Sequence, residues 1–322
     1  MGSKSFYVLE RDGLTQSLLS MFLTCRQKAR FYLSGWNSKY CSEALTFGSL
    51  CHGMLELAYL DIQSKKLTGT PSAQQIRRYG GIIEKKWNAE NPRSSVDTLV
   101  MVEKSLAVLE QMVPRYFDFW KEDFKKMKWV SLEGQFDVRA RPGPGLAIRV
   151  RGKQDGKFSL KKELWLFETK TKSMVNEGDL LDTLSLDLQV RLYLWAMREG
   201  AKTAPTGCLY NIIRKTAAKQ GKNESIPKFA RRVAEDIDDR PEFYFMRLEV
   251  ATSRGEIEEF EGELFGLLRD FAAWRNGKLP HYKNPNNCIG KYGRCEYINV
   301  CARNDYSTLV KRKIIFKELS DY

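Results

Sequence analysis

Glu168-Thr169-Lys170 closes the apolar run Leu164-Trp165-Leu166-Phe167, and Asp155 stands one segment earlier, behind Gly152-Lys153-Gln154. Side chains alternate along a strand, so Glu168 and Lys170 share one face while Thr169 points the other way. A short hairpin brings Asp155 beside them. An E-x-K triplet at an exposed strand end is ordinarily a solvated charge pair. Here the charges sit where a buried strand would continue apolar, and a charge placed there needs a partner or an ion. Two carboxylates at one point repel, and a divalent cation between them removes that cost, held by hard oxygen ligands of the kind Mg²⁺ prefers. Such an ion polarises a phosphodiester oxygen and lowers the pKa of an attacking water. Lys170 would position that water or balance charge growing on the phosphate. Asp137, in Gly134-Gln135-Phe136-Asp137, competes for the role of the first acid, but reaching Glu168 from there requires a whole extra hairpin, whereas Asp155 needs one turn. Glu133 is an auxiliary acid candidate.

The elements that must position these groups can be read from the spacing of apolar residues. Leu14 to Leu33 has helical spacing, with Cys25 on the helix and Gly35 as its stop; Ser42 to Ile62 is a second helix, with His52 and Glu56 one turn apart on one face. Glu84 to Phe124 reads as helix, interrupted at Pro92, capped afresh at Ser94 or Ser95 and kinked at Pro114. From Trp129 the pattern alternates. Val130 to Arg141, Leu146 to Leu160 and Leu164 to Phe167 form a three-strand meander, the last strand central and buried on both faces. Leu180 to Arg198 is helical, Cys208 to Lys215 a strand, Lys215 to Arg240 a polar flexible loop, Phe243 to Val250 a strand and Glu256 to Trp274 a helix. The expected fold is α/β, a mixed central sheet with flanking helices. The segments are a helical N-terminal region, 1–128, a core, 129–250, and a C-terminal helix with a Cys-bearing tail, 251–322.

Fifty-three Lys and Arg against 40 Asp and Glu give a net charge of +13, which favours a polyanionic partner through phosphate neutralisation. Arg149, Arg151 and Lys153 share strand parity with Asp155, a candidate phosphate track into the site. No stretch approaches the ~20 apolar residues of a membrane span, and the N-terminus lacks signal-peptide order, so a cytoplasmic protein with no membrane partner is expected. In that reducing compartment, Cys288-x6-Cys295-x5-Cys301 is more often a metal site than a disulfide framework, and Cys25 can supply a fourth thiolate. Four thiolates suit tetrahedral Zn²⁺ or a [4Fe-4S] cluster, and spacing does not choose between them. Cys41, Cys51 and Cys208 are expected to be buried small side chains.

These motifs resemble, in order, those of the RecB-like branch of PD-(D/E)XK nucleases, which includes AddB-type nuclease domains, CRISPR-adaptation exonucleases and phage-encoded relatives. Gly152-Lys153-Gln154-Asp155 looks like the family's G-x-x-D segment and Glu168-Thr169-Lys170-Thr171 like its (D/E)-x-K-T segment. Asp187-Leu188-Gln189-Val190-Arg191-Leu192-Tyr193 is similar to the following helix, whose Gln and Tyr face the site; Gly48-Ser49-Leu50-Cys51-His52 resembles the upstream G-x-x-x-H segment. The resemblance implies a restriction-endonuclease-like core, with Mg²⁺ or Mn²⁺ held by His52, Asp155, Glu168 and the Thr169 carbonyl, and catalysis by Asp155, Glu168, Lys170, Gln189 and Tyr193. The segments around Cys25 and around Cys295 and Cys301 look like those of iron-sulfur members, which implies a [4Fe-4S] cluster on Cys25, Cys288, Cys295 and Cys301. The gap of six between Cys288 and Cys295 departs from the two usual in AddB-type members. The implied function is metal-dependent DNA cleavage, with an exonuclease favoured, in recombination, repair or phage DNA processing, on single strands or duplex ends. A helicase or recombination protein is the implied partner, since no P-loop pattern is present for unwinding. The rival readings are a non-catalytic DNA-binding accessory protein with the same fold, and a zinc-stabilised RNA-processing protein.

Overall fold

A computed structural model describes residues 6–92, 94–200, 204–290 and 293–319. In chain order the elements that build the site are β1 (Leu14–Thr15), α1 (Gln16–Thr24), α2 (Arg26–Leu33), α3 (Glu43–Gln63), α4 (Ala73–Glu90), α5 (Val96–Phe119), β2 (Lys128–Gly143), β3 (Leu146–Leu160), β4 (Glu163–Lys172), α6 (Glu177–Leu184), α7 (Leu188–Gly200), β5 (Gly207–Arg214), α8 (Ile226–Asp239), β6 (Phe245–Ala251) and α9 (Arg254–Arg275). A mixed six-stranded sheet runs β1-β3-β4-β5-β6, with β2 also paired to β3. The meander β2-β3-β4 is antiparallel, β4 and β5 are parallel, and β6 returns antiparallel. This is the α/β architecture the alternating and helical patterns require, with β4 flanked on both edges.

Helices cover both faces of the sheet. One core packs α1, α2, α7 and α9 against Ile148, Val150, Leu166, Tyr210 and Ile212. The other packs α3, α4, α5 and α8 against Phe158, Trp165, Phe167, Leu209 and Ile213. Strand β4 obeys simple alternation, with Leu166 in the first core and Trp165 and Phe167 in the second. Strand β3 does not: Ile148 and Val150 lie in the first core but Phe158, of the same parity, lies in the second. The strand therefore rolls over between Val150 and Phe158, and Asp155 lies in the rolling segment.

Ends of helices follow the local chemistry. Ser72 and Gln75 form a capping box at α4, Ser95 caps α5, and Ser253 with Glu256 caps α9. Four expectations are corrected. The stretch 215–240 is not all loop, because α8 hides a stripe of Phe229, Ala230, Val233, Ala234 and Ile237 inside a highly charged sequence and lays it on α5. Leu14 to Leu33 is not one helix: Cys25 is extended, at φ −166° and ψ 115°, and separates α1 from α2. Leu180 to Arg198 is two helices, divided at residues 185–187. Cys41 is exposed, while Cys51 and Cys208 are buried as expected.

The C-terminal tail returns to the N-terminal helices. Tyr297, Val300 and Leu309 make a small core with Phe31 and Trp36, and Leu309–Lys311 pairs antiparallel with Trp36–Ser38. Asn284 Nδ2 donates to the Thr24 carbonyl at 3.0 Å. No helix among the described residues is long and apolar enough to cross a membrane.

Candidate active site

The ladder between β3 and β4 runs from Leu160–Glu163 to Gly156–Phe167, and one step further stand Asp155 and Glu168. On the same edge of β3, β1 pairs only at Val150 and Arg151. The two acids thus occupy a fork where neighbouring strands part. Asp155 fills part of it, its Oδ2 accepting the Thr169 N–H at 2.7 Å. His52, from α3, brings its Nδ1 to 3.6 Å from the same oxygen.

Glu168 is 1 % exposed. Its Oε1 accepts from Lys170 Nζ at 2.6 Å and from Gln189 Nε2 at 2.8 Å. Its Oε2 is buried and has no hydrogen-bond partner among the described residues. An orphaned carboxylate oxygen in a buried site is costly unless an unrecorded water or cation completes it. Gln189 is held in turn: the Asp187 carboxylate accepts the N–H groups of Gln189 and Val190, both at 2.9 Å, which caps the start of α7. Tyr193, one turn further along α7, lies near the Glu168 carboxylate, and burial with Glu168 beside it raises its hydroxyl.

A second charged group lies beside Asp155 and was legible only in part. Lys153 Nζ sits 2.9 Å from Glu133 and 3.2 Å from Glu56, all three largely buried. Glu133 takes a left-handed φ of 49°, in the gap between the pairs Leu132–Gly156 and Gly134–Gln154, opposite Asp155. Counting Glu56, Glu133, Asp155 and Glu168 against Lys153 and Lys170, the fully ionised group carries an excess of two negative charges. The pKa shifts follow from that excess. Burial and the neighbouring Asp155 push Glu168 up to about 7, against the pull of Lys170. Burial, Asp155 and Glu56 push Glu133 up to about 9, and burial raises Asp155. Burial and Lys170 lower His52 to about 4, leaving its imidazole neutral and its lone pair available. Burial alone would lower the Lys170 ammonium, but Glu168 and Asp155 outweigh it and hold the group protonated.

Among the described residues no group of three or more His, Cys, Asp or Glu side chains is set to hold a metal ion. The donor set nevertheless fits a divalent cation on two observations: the charge excess of two and the unpartnered Glu168 Oε2.

Asp137 takes no part, since both Arg149 and Arg151 turn to it, Arg149 Nε at 3.1 Å and Arg151 Nε at 3.6 Å. Arg149 also donates to the Arg11 carbonyl and Arg151 to that of Asp12. With Lys153 held by Glu56 and Glu133, the three basic residues of the expected phosphate track each have acidic partners, Arg149 and Arg151 at a part-exposed surface. Sequence reasoning missed Glu56 and Asp187 as parts of the site. The position of Glu56 one turn after His52 was the available signal.

Two glycines admit the close packing. A Cβ on Gly48 would stand 2.9 Å from Thr171 Oγ1, so the hydroxyl would have to turn aside for α3 to come this close to β4. A Cβ on Gly152 would stand 2.5 Å from two ring carbons of Phe136 and 3.1 Å from Tyr193 Cε1. Gly152→Ala is expected to destabilise the fold by about 1–3 kcal/mol through overpacking. Thermal denaturation checks this, and an unchanged melting temperature would contradict the packing described.

Cys25, Cys288, Cys295 and Cys301 are each half-buried and unbridged, and they lie in one neighbourhood, but no three of them are set as ligands to a common ion among the described residues. Burial raises the Cys301 thiol, as do the nearby Cys295, Cys25 and Cys288. The Cys295 N–H donates to the Cys288 carbonyl at 2.9 Å, and the Asn284 N–H points at Cys25 Sγ from 3.5 Å. The extended residue that breaks α1 from α2 is what turns Cys25 toward the tail.

Residues 13–302 match the PD-(D/E)XK nuclease superfamily. Among solved structures, similarity is found to a candidate exonuclease from Eubacterium rectale, at 13 % identity and a TM-score of 0.49, covering 97 % of this chain and 94 % of that one. SSO0001 is similar at 14 % identity and a TM-score of 0.33, covering 68 % and 80 %. No curated protein shows significant similarity in sequence.

Proposed function

Because the chain belongs to the PD-(D/E)XK nuclease superfamily, we propose that it hydrolyses phosphodiester bonds of DNA at the fork between β3 and β4, using one divalent cation, Mg²⁺ or Mn²⁺. His52, Asp155 and Glu168 would hold the ion, with the Thr169 carbonyl as a further ligand. The observation that carries this reading is the buried, unpartnered Glu168 Oε2 beside a second carboxylate and an ammonium group. The ion supplies Lewis acidity and a water of lowered pKa. Asp155 is oriented by the Thr169 N–H, and His52 offers a neutral nitrogen. Lys170 would hold a fixed positive charge next to the reacting phosphate, and Gln189, on the helix turn capped by Asp187 and with Tyr193 one turn on, keeps Glu168 in its rotamer. The net charge of +13 suits a DNA substrate.

An exonuclease acting on single strands or duplex ends, in recombination, repair or phage DNA processing, is the finer reading. A separate helicase would supply unwinding. Incubation of end-labelled linear DNA and closed circular DNA with Mg²⁺ tests it. Linear DNA is expected to shorten from its ends, the circle to survive, and EDTA to stop the reaction. Equal loss of the circle would overturn the exonuclease reading, and cleavage in EDTA would overturn the metal.

Cys25, Cys288, Cys295 and Cys301 would together hold a [4Fe-4S] cluster, or a zinc ion in its place. Either would tie the tail to the break between α1 and α2.

A further inference from the structure

Behind the catalytic face, one polar row crosses the sheet among the core residues Phe167, Leu209, Ile213 and Phe245. Thr169 on β4 is in register with Asn211 on β5, and Asn211 with Arg247 on β6. Asn211 is 0 % exposed and uses both ends of its amide: Nδ2 donates to Thr169 Oγ1 at 3.1 Å, and Oδ1 accepts from Arg247 Nε at 3.1 Å. Arg247 is anchored on its far side. Its Nη1 pairs with Asp123 at 2.7 Å, its Nη2 donates to the Tyr116 hydroxyl at 3.0 Å, and its guanidinium stacks 4.0 Å from the Trp120 ring centre. Phe167 and Ile213 on the same side of the sheet are packed as core.

A buried amide bonded at both ends fixes what it touches in one geometry, because any rotation leaves polar atoms unsatisfied. The atom it touches matters here. At Thr169 strand β4 has already left β3, so no ladder on that edge holds the peptide, and its N–H is the group that orients Asp155. We propose that Asn211, braced by Arg247, is a positioning residue that locks the Thr169 peptide so that Asp155 faces Glu168. This rests on the metal-site reading given above, and it adds a cause for the site's geometry from the opposite face of the sheet.

Thr169→Val and Asn211→Leu each cut the Thr169–Asn211 link with neutral, similar-sized side chains. Val108→Ala, in the α5 core, serves as a comparison that loosens the fold without touching the row. Two quantities are measured in the DNA-free protein: amide hydrogen exchange at Thr169 relative to Leu166, and Mn²⁺ affinity by paramagnetic resonance. Both row variants are expected to speed Thr169 exchange and to weaken Mn²⁺ binding by about 10-fold or more, as loss of a group orienting a metal ligand does. Val108→Ala should change neither ratio. Unchanged Thr169 exchange in both row variants, or an equal change in Val108→Ala, overturns the proposal. Wild-type protein that binds no Mn²⁺ overturns the metal reading instead, and Thr169 exchange, which needs no metal, still decides the row.

Discussion

Glu168→Gln is expected to lower DNA cleavage by about 10³-fold or more while leaving the melting temperature of the metal-free protein unchanged or slightly higher. The fold loses the ion pair with Lys170 but is relieved of a buried, crowded negative charge, and the two roughly offset. The carboxyl is buried, and burial with Asp155 beside it already disfavours its charge, so a neutral amide of the same shape is at least as well accommodated. Function loses the oxygen that has no partner inside the protein. A 10³-fold loss corresponds to about 4 kcal/mol of transition-state stabilisation, at the upper end of what one preorganised electrostatic group supplies, as expected where an ion is released with it. Lys170→Met should be similarly inactive, since no other cation stands within bonding distance of Glu168 Oε1 among the described residues. Steady-state cleavage with Mg²⁺, DNA anisotropy and scanning calorimetry separate the effects. Added Mn²⁺ should raise the melting temperature of the wild type by several degrees and leave Glu168→Gln unmoved, because only the state that binds the ion is stabilised. Cleavage at a wild-type rate by both variants would remove the site assignment.

Cys25→Ser is expected to produce the largest loss of stability, with loosening of the segment between α9 and Tyr297. The residues from Cys288 onward are attached through a small core of Tyr297, Val300 and Leu309, a three-residue strand pair, and Phe316, which sits in the main core against Tyr7. A shared ion or cluster closing the chain from Cys25 to Cys288 would restrict the unfolded state by up to about 5 kcal/mol on the loop-entropy estimate used for disulfides. The actual effect should be smaller, since α1 already docks on α9 through Phe22 against Phe271 and Trp274. Limited proteolysis should cut the variant between α9 and Tyr297, where the wild type resists. Iron and sulfide content of anaerobically purified protein decides which group is bound: brown protein with iron supports the cluster, and colourless protein loaded with zinc refutes it. A tail equally resistant in both forms would refute the staple itself.

Alternation and spacing in the sequence determined the local facts of this protein. Leu164-Trp165-Leu166-Phe167 had to be a strand buried on both faces, Glu168 and Lys170 had to share a side, and His52 and Glu56 had to lie one helical turn apart, because strand and helix periods are properties of the backbone. The same periods misled where charge concealed a narrow apolar stripe, as in α8, and where a single extended residue, Cys25, broke a helix. Tertiary structure alone decided which charges meet. Arg149 and Arg151 shared parity with Asp155 yet turned to Asp137, whereas Lys153 went to Glu56 and Glu133. It also decided that strands part at Asp155 and Glu168, and that Thr169, Asn211 and Arg247, distant in the chain, align in one row. Pairing register and helix docking bring such residues together only after the whole sheet has formed, so no short stretch of sequence encodes those contacts.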